Sequence, residues 1–242
     1  MLKVYRMRVL ALDSTTRAGS VALVADCRIV DERSGDGSRT HAERLPAELM
    51  ALADAHGLAL ADIDLFAVAS GPGSFTGLRI GIATVQGLAF VHRRRIVGVS
   101  ALDALAHAAS ETAAPGTVLA VWMDAHRRDV FAAMYRVTDA APFAAARLEE
   151  LDGPSVDSPA SILNRWAATW PAVDVFVGDG AGSFADEIAA VYPSAAVVPP
   201  PLVAGAIGRL AVERAAEAVE PAAVRPLYVR RPDAEIGRDA RL

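Results

Sequence analysis

Short apolar runs and polar turns follow one another in an order that the chain uses twice. From Arg8 onward, residues 9–13, the turn "STTRAG", residues 20–25 and residues 28–33 read as three strands, the last two joined too tightly for a crossover. Leu45, Leu49 and Leu52 recur at helical spacing and predict a helix over 40–56. A buried strand over 65–70, a helix over 76–92 and a short return strand over 96–99 follow. A second copy begins near Thr117. "VLAVWMDAHRRDVFAAMYRV" gives two strands around a turn, "AARLEEL" a third, residues 158–169 a helix, "VDVFVG" a strand and "AGSFADEIAAVY" another helix. Both copies read βββαβα.

Two correspondences tie the copies together beyond the order of their elements. Asp13 and Asp124 each stand where the first strand of a copy turns into the second, and "ASGPGSF" and "VGDGAGSF" each place a glycine turn between the fourth strand and its helix. A duplicated βββαβα unit facing itself across a cleft predicts an α/β protein of the actin-like (ASKHA) architecture. The predicted lobes are residues 1–110 and 111–201. An apolar helix within 202–222, with a small-residue face of Ala204, Gly208, Ala211 and Ala215, is expected to return to the first lobe, and 223–242 is read as a tail. "MRVLALD" opens the first strand at Met7, so residues 1–6 are read as an extension that does not join the fold.

The glycine turn before the helix of 76–92 occupies the position of a phosphate loop, where free backbone N–H groups and the helix dipole favour an anion. Its spacing fits no standard fingerprint. Gly71, Gly73 and Gly77 give G-x-G-x-x-x-G, and no G-K-[ST] follows. Lys3 is the only lysine, which excludes lysine-dependent phosphoryl transfer. His41, His56, His92, His107 and His126 show no H-x-x-x-H or H-E-x-x-H spacing, so no metal site is expected.

Composition narrows the classes further. A net charge of −5 argues against a chain that binds nucleic acid unaided, and the triplet Arg93 to Arg95 reads as a solvated helix end. Cys27 is alone, no apolar run approaches the ~20 residues of a membrane span, and a reducing cytoplasm is the expected home. Asp13, Ser14, Thr15, Thr16 and Asp124 are the candidate nucleotide contacts of the predicted cleft, with Asp179 open to the same choice. Their other reading is turn chemistry, an aspartate and hydroxyls bonding local backbone. On the helix of 76–92, Leu78, Ile82, Val85 and Ala89 make a stripe for the sheet, and Gly77, Gly81, Thr84 and Leu88 make a second stripe of mostly small residues. That second stripe suits either another chain or the helix of 40–56, and Arg79, Gln86 and Arg93 form a narrow polar edge.

Together "MRVLALDSTTRAGSVALV", "HAERL", "AVASGPGSFTGLRIGIATVQGLAF", "IVGVSALDALA", "MDAHRRDVFAAMY", "VGDGAG" and "RPLYVR" resemble the TsaB (YeaZ) family, collinearly from Met7 to about Arg231. The chain has "DSTT" where the family opening has "DTST", which keeps two hydroxyls near Asp13. The resemblance implies an actin-like fold and a non-catalytic part in making N6-threonylcarbamoyladenosine in tRNA, next to the anticodon. It implies binding and activation of the catalytic subunit TsaD, help in recruiting the ATPase TsaE, contact with tRNA only through that complex, and a homodimer when TsaD is absent. Where TsaD carries a metal-binding H-x-x-x-H, this chain has Ala101 and Leu105. The resemblance places the partner interface on the two first-lobe helices, with His41, Leu45, Gly73, Ser74, Phe75, Thr76, Gly77, Arg79, Gly81, Thr84 and Leu88 as its candidates. ATP or ADP at the cleft or interface is the candidate ligand, with no cofactor required. The rival function is an ATP-dependent small-molecule kinase or acyltransferase using Asp13 and Asp124 around Mg²⁺; a protease acting through Ser74 is a weaker third.

Overall fold

A computed structural model of the protein describes residues 7–229. The extension expected at residues 1–6 and most of the tail, 230–242, lie outside the described residues. Strands β1 (Arg8–Asp13), β2 (Ser20–Ala25) and β3 (Arg28–Ser34) form an antiparallel meander, followed by α1 (His41–Ala55), β4 (Leu65–Gly71), α2 (Phe75–Val91), β5 (Arg95–Ser100) and α3 (Ala101–Ser110). The first sheet runs β3-β2-β1-β4-β5, with β4 parallel to β1 and β5 parallel to β4.

The second half repeats the plan with β6 (Val118–Asp124), β7 (Val130–Val137), β8 (Leu148–Asp157), α4 (Pro159–Thr169), β9 (Val175–Val177), α5 (Asp179–Ser183), α6 (Ala185–Val191) and β10 (Ala196–Val198). Its sheet runs β10-β9-β6-β7-β8, the same order as the first. Helix α7 (Ala204–Glu213) then packs back on β1 and β2.

The period-2 alternation of β1 sorts its side chains between two cores. Leu10 and Leu12 face outward to α1 and α2 with Leu45, Leu49, Ile82 and Val85. Val9 and Ala11 face the middle of the molecule, where α3 and α7 lie between the sheets with Val121, Met123 and Ala133 of the second lobe. The middle positions are small (Ala11, Ala22, Ala67, Ala69), which lets the helices approach closely. A third core, Trp122, Trp166, Phe176 and Ile188, holds α4 and α6 on the outer face of the second sheet.

Serines and a threonine start the helices. Ser74 Oγ accepts the N–H of Gly77 at 3.2 Å, Ser100 and Ser158 cap α3 and α4 likewise, and the Glu43 carboxylate accepts from the N–H and hydroxyl of Thr40.

Five elements differ from the sequence-based expectation, the first being the return strand β10, which was not expected in the second copy. Helix α3 was not anticipated, because it follows β5 directly, with no turn residues between them to mark the change. The strand expected at "AARLEEL" begins later and runs to Asp157, its polar sequence suiting an exposed edge. The helix expected over 181–192 is two, broken at Phe184. The helix expected within 202–222 ends at Glu213, because Val219 exchanges two backbone hydrogen bonds with Ile96 at the free edge of β5.

One buried cation ties the second lobe to the end of α3. Arg147, 5% exposed, donates to the carbonyls of Thr138 and Ala140, both at 2.9 Å, and of Ser110 and Ala113, at 2.6 and 2.8 Å. Arg147→Ala should therefore cost about 3 kcal/mol in chemical denaturation, since four carbonyls lose their donor. Arg147→Lys should recover only part of it, because an ammonium cannot reproduce the fork.

Candidate functional site

The β1–β2 turn forms one wall of a cleft between the lobes. Asp13 is 3% exposed, and its Oδ1 accepts from the Thr15 N–H at 2.9 Å and the Thr15 hydroxyl at 2.7 Å. Burial holds the Asp13 carboxyl above its ordinary pKa; the bonds from Thr15 and the His41 ring oppose this, and Asp179 adds to it.

The cleft has a volume of ≈ 140 Å³. Asp13, Thr15, Thr16, Ser20, Ser34 and Asp179 supply polar lining, and Ala101, Leu105, Met123 and the segment 200–203 supply most of the apolar lining. Its hydroxyls serve the chain's own structure: Thr15 donates to Asp13, Thr16 Oγ1 accepts from Gly19 N–H, and Ser20 Oγ accepts from Ala204 N–H at 3.0 Å. The lining carries two carboxylates and, among the described residues, no basic side chain, and Thr16 and Ser20 use an acceptor position of their hydroxyls on the chain's own backbone.

Two of the candidate nucleotide contacts do not line the cleft. Ser14 points the other way: its buried Oγ has no partner, and a methyl added at Gly81 of α2 would overlap it. Asp124 is exposed at the β6–β7 turn, where its Oδ1 accepts from the His126 N–H at 2.8 Å, and Asp179 stands on the lining in its place. Ala101 and Leu105 both face the cleft. Among the described residues no three His, Cys, Asp or Glu side chains come together as a metal site.

The glycine loop lies against the same hairpin. Ser74 N–H donates to Thr15 O at 2.9 Å, and a methyl at Gly77 would overlap the Ser14 carbonyl oxygen. Gly77 and Gly81 thus let α2 close on the end of β1. They are buried within the chain, as is Leu45, so these three interface candidates do not offer a surface. His41 lies beside Gly77, and burial, then Arg44, lowers its pKa.

Arg79 and Gln86 hold the returning chain on one flank of α2. Gln86 Nε2 donates to Pro221 O at 2.8 Å, Arg79 Nε donates to the Tyr228 hydroxyl at 3.0 Å, and the Tyr228 ring stacks on Phe75 with centroids 5.3 Å apart. The outward stripe is one position round from the expected one. Thr76, Ala83, Gly87, Phe90 and Val91 are exposed, Ile80 is half-buried among them, and Phe90 and Val91 reach 76% and 73% exposure. Thr84 and Leu88 flank this stripe half-buried, and Ala47, Met50 and Ala51 of α1 are also exposed. The 4-3-4-3 spacing of 76, 80, 83, 87 and 90 was readable as a charge-free stripe. Pattern alone could not choose between it and its neighbour.

Paired sheets of identical order closing on a cleft make the actin-like fold. The activator of 2-hydroxyisocaproyl-CoA dehydratase from Clostridium difficile, solved with ADPNP, is similar in fold, with a TM-score of 0.50 and 13% identity over 87% of this chain and 96% of its own. Residues 35–198 match the model of the family described as TsaD: tRNA N6-adenosine threonylcarbamoyltransferase. The tRNA threonylcarbamoyladenosine biosynthesis protein TsaB of Escherichia coli is 38% identical over 130 residues, 54% of this chain and 55% of that one. YeaZ from Pseudomonas aeruginosa is 31% identical with a TM-score of 0.72, over 92% of this chain and 99% of its own. The chain belongs to the TsaB (YeaZ) family.

Asp13 binds its proton more tightly in the folded chain than in the unfolded one. Stability therefore falls as pH rises from the ordinary carboxylate value through the raised one, and stays lower above it. Asp13→Asn keeps an acceptor for Thr15 and should raise Tm at pH 7 by ~2–4 °C, about 1 kcal/mol. Thermal melts across pH should show the gap closing below the ordinary carboxylate value; a constant gap would contradict a raised Asp13.

Proposed function

We propose that this chain serves tRNA threonylcarbamoyladenosine biosynthesis as a platform that binds and activates a TsaD-type transferase and helps to recruit TsaE, without catalysing a step itself. Participation in that biosynthesis follows from its TsaB relatives. The observation that carries the platform role is the charge-free exposed stripe of α2 beside the exposed small residues of α1. Side chains so apolar and so exposed on a regular helix pair suit a second helix pair, and a specific complex of that kind buries roughly 1,600 Å².

In the proposed assembly the cleft is a structural feature. Its polar groups bond the chain itself, and Ala101 and Leu105 stand where the resemblance puts the partner's metal-binding histidines. The same helix pair would form a homodimer when the transferase is absent. tRNA meets the chain only within the complex, in the cytoplasm. Among the described residues no helix is long and apolar enough to cross a membrane.

Gly87 offers a test that leaves the fold intact, since a side chain there would meet nothing within 4 Å. Light scattering after size exclusion should show a stoichiometric complex with the TsaD-type protein of the same organism. Gly87→Arg should weaken it at least tenfold, with Tm unchanged or raised by the better helix propensity. Wild-type affinity in that variant would move the interface elsewhere. A wild-type chain that never binds would end the proposal.

A further inference from the structure

The β6–β7 turn holds three consecutive non-glycine residues in the left-handed region: His126 at φ +58°, Arg127 at +56° and Arg128 at +67°. L-residues enter that region against a steric cost, and here none of the three is the asparagine or glycine that bears it most easily. The corresponding turn of the first lobe, between β1 and β2, gives its positive φ to Gly19.

The conformation is fixed from several sides. Asp124 Oδ1 accepts from His126 N–H at 2.8 Å, Ala125 N–H donates to Asp129 O at 3.1 Å, and Asp129 N–H donates to His126 O at 3.0 Å. Asp179 Oδ1 accepts from Asp124 N–H at 3.0 Å and from Gly180 N–H at 2.9 Å, which anchors the turn to α5. Asp179 therefore faces backbone donors and Asp124 faces both the His126 N–H and, at 3.3 Å, the His126 ring Nδ1, while His126, Arg127 and Arg128 are exposed. Elsewhere in the chain most arginines are tied down, as Arg33 is to Asp31, Arg136 to Glu149, Arg165 to Asp152 and Arg209 to Glu111. In the turn Arg127 is also engaged, and the Arg128 side chain has no such partner among the described residues.

We propose that this rigid turn presents Arg127 and Arg128 to the phosphate backbone of the tRNA on which the assembled complex acts. The proposal rests on the function given above. Guanidinium groups match phosphate oxygens bidentately, and a strained turn that keeps long cationic side chains indicates that the side chains are needed there. An otherwise acidic chain can then contribute local phosphate contacts without binding RNA alone.

The test uses the full complex of this chain, the TsaD-type transferase and TsaE, with their tRNA. The double variant Arg127→Gly, Arg128→Gly relieves the backbone and removes both charges, so Tm should rise by about 2 °C or more. Its tRNA affinity should fall about tenfold, and the slope of log K against log salt should shrink by ~1.5, as for two lost phosphate contacts. The KM for tRNA should rise with kcat and complex assembly unchanged. Replacing both arginines by lysine should restore most of the salt slope and part of the affinity. Unchanged tRNA affinity and slope in an assembled glycine variant would overturn the proposal. Loss of assembly with tRNA affinity retained would assign the turn to a protein partner and overturn it too. Absence of any wild-type complex would instead defeat the platform function and take this proposal with it.

Discussion

The contact of α2 with the end of β1 sets the geometry of the first lobe. Gly77 and Gly81 lie so close to Ser14 that no side chain fits at either position. The hairpin that shapes the cleft is therefore packed directly on the helix that shapes the outer face. The glycine loop before α2 looks like a phosphate cradle in sequence. In three dimensions its backbone meets Thr15, through the Ser74 N–H, and its serine caps its own helix.

Arg44 reinforces the same junction from α1. Its side chain is 1% exposed and bonds Glu48, the Arg17 carbonyl and the Ala18 carbonyl, so α1 grips the hairpin from the far side of the turn. Hairpin, α1 and α2 are one packed unit. The returning segment from α7 to Tyr228 completes it, through Val219 on β5, Pro221 on Gln86 and Tyr228 on Phe75. The unit is fastened on its inner side, and its outer side carries the exposed charge-free stripe of α2.

The two lobes use one plan for different ends. In the first, the β1–β2 turn gives its positive φ to Gly19 and the hairpin is buried under α2. In the second, Trp122, Trp166 and Phe176 fill the outer core, and the hairpin stands free with charged residues in left-handed conformations. Duplication explains the shared topology; the side chains explain the divergence.

The alternation of Val9, Leu10, Ala11 and Leu12, the paired aspartates Asp13 and Asp124, and the stripe Leu78, Ile82, Val85 and Ala89 made the duplicated α/β fold legible without coordinates, because burial on one face imposes a period. The family was legible for the same reason, in contiguous motifs. Helix α3 was not, since it follows β5 directly, with no turn between them to punctuate the chain. Sequence also could not decide which stripe of α2 faces outward. Leu45, Gly77 and Gly81 turned out to be interior, and Thr76, Ala83, Gly87 and Phe90 exterior, because the α1 and Ser14 contacts that cover one stripe come from residues distant in the chain. Nor could it separate Ser14, turned to α2, from Asp13 and Thr15, turned to the cleft. Local pattern marks most of the elements, and only tertiary packing decides which of their faces stay exposed.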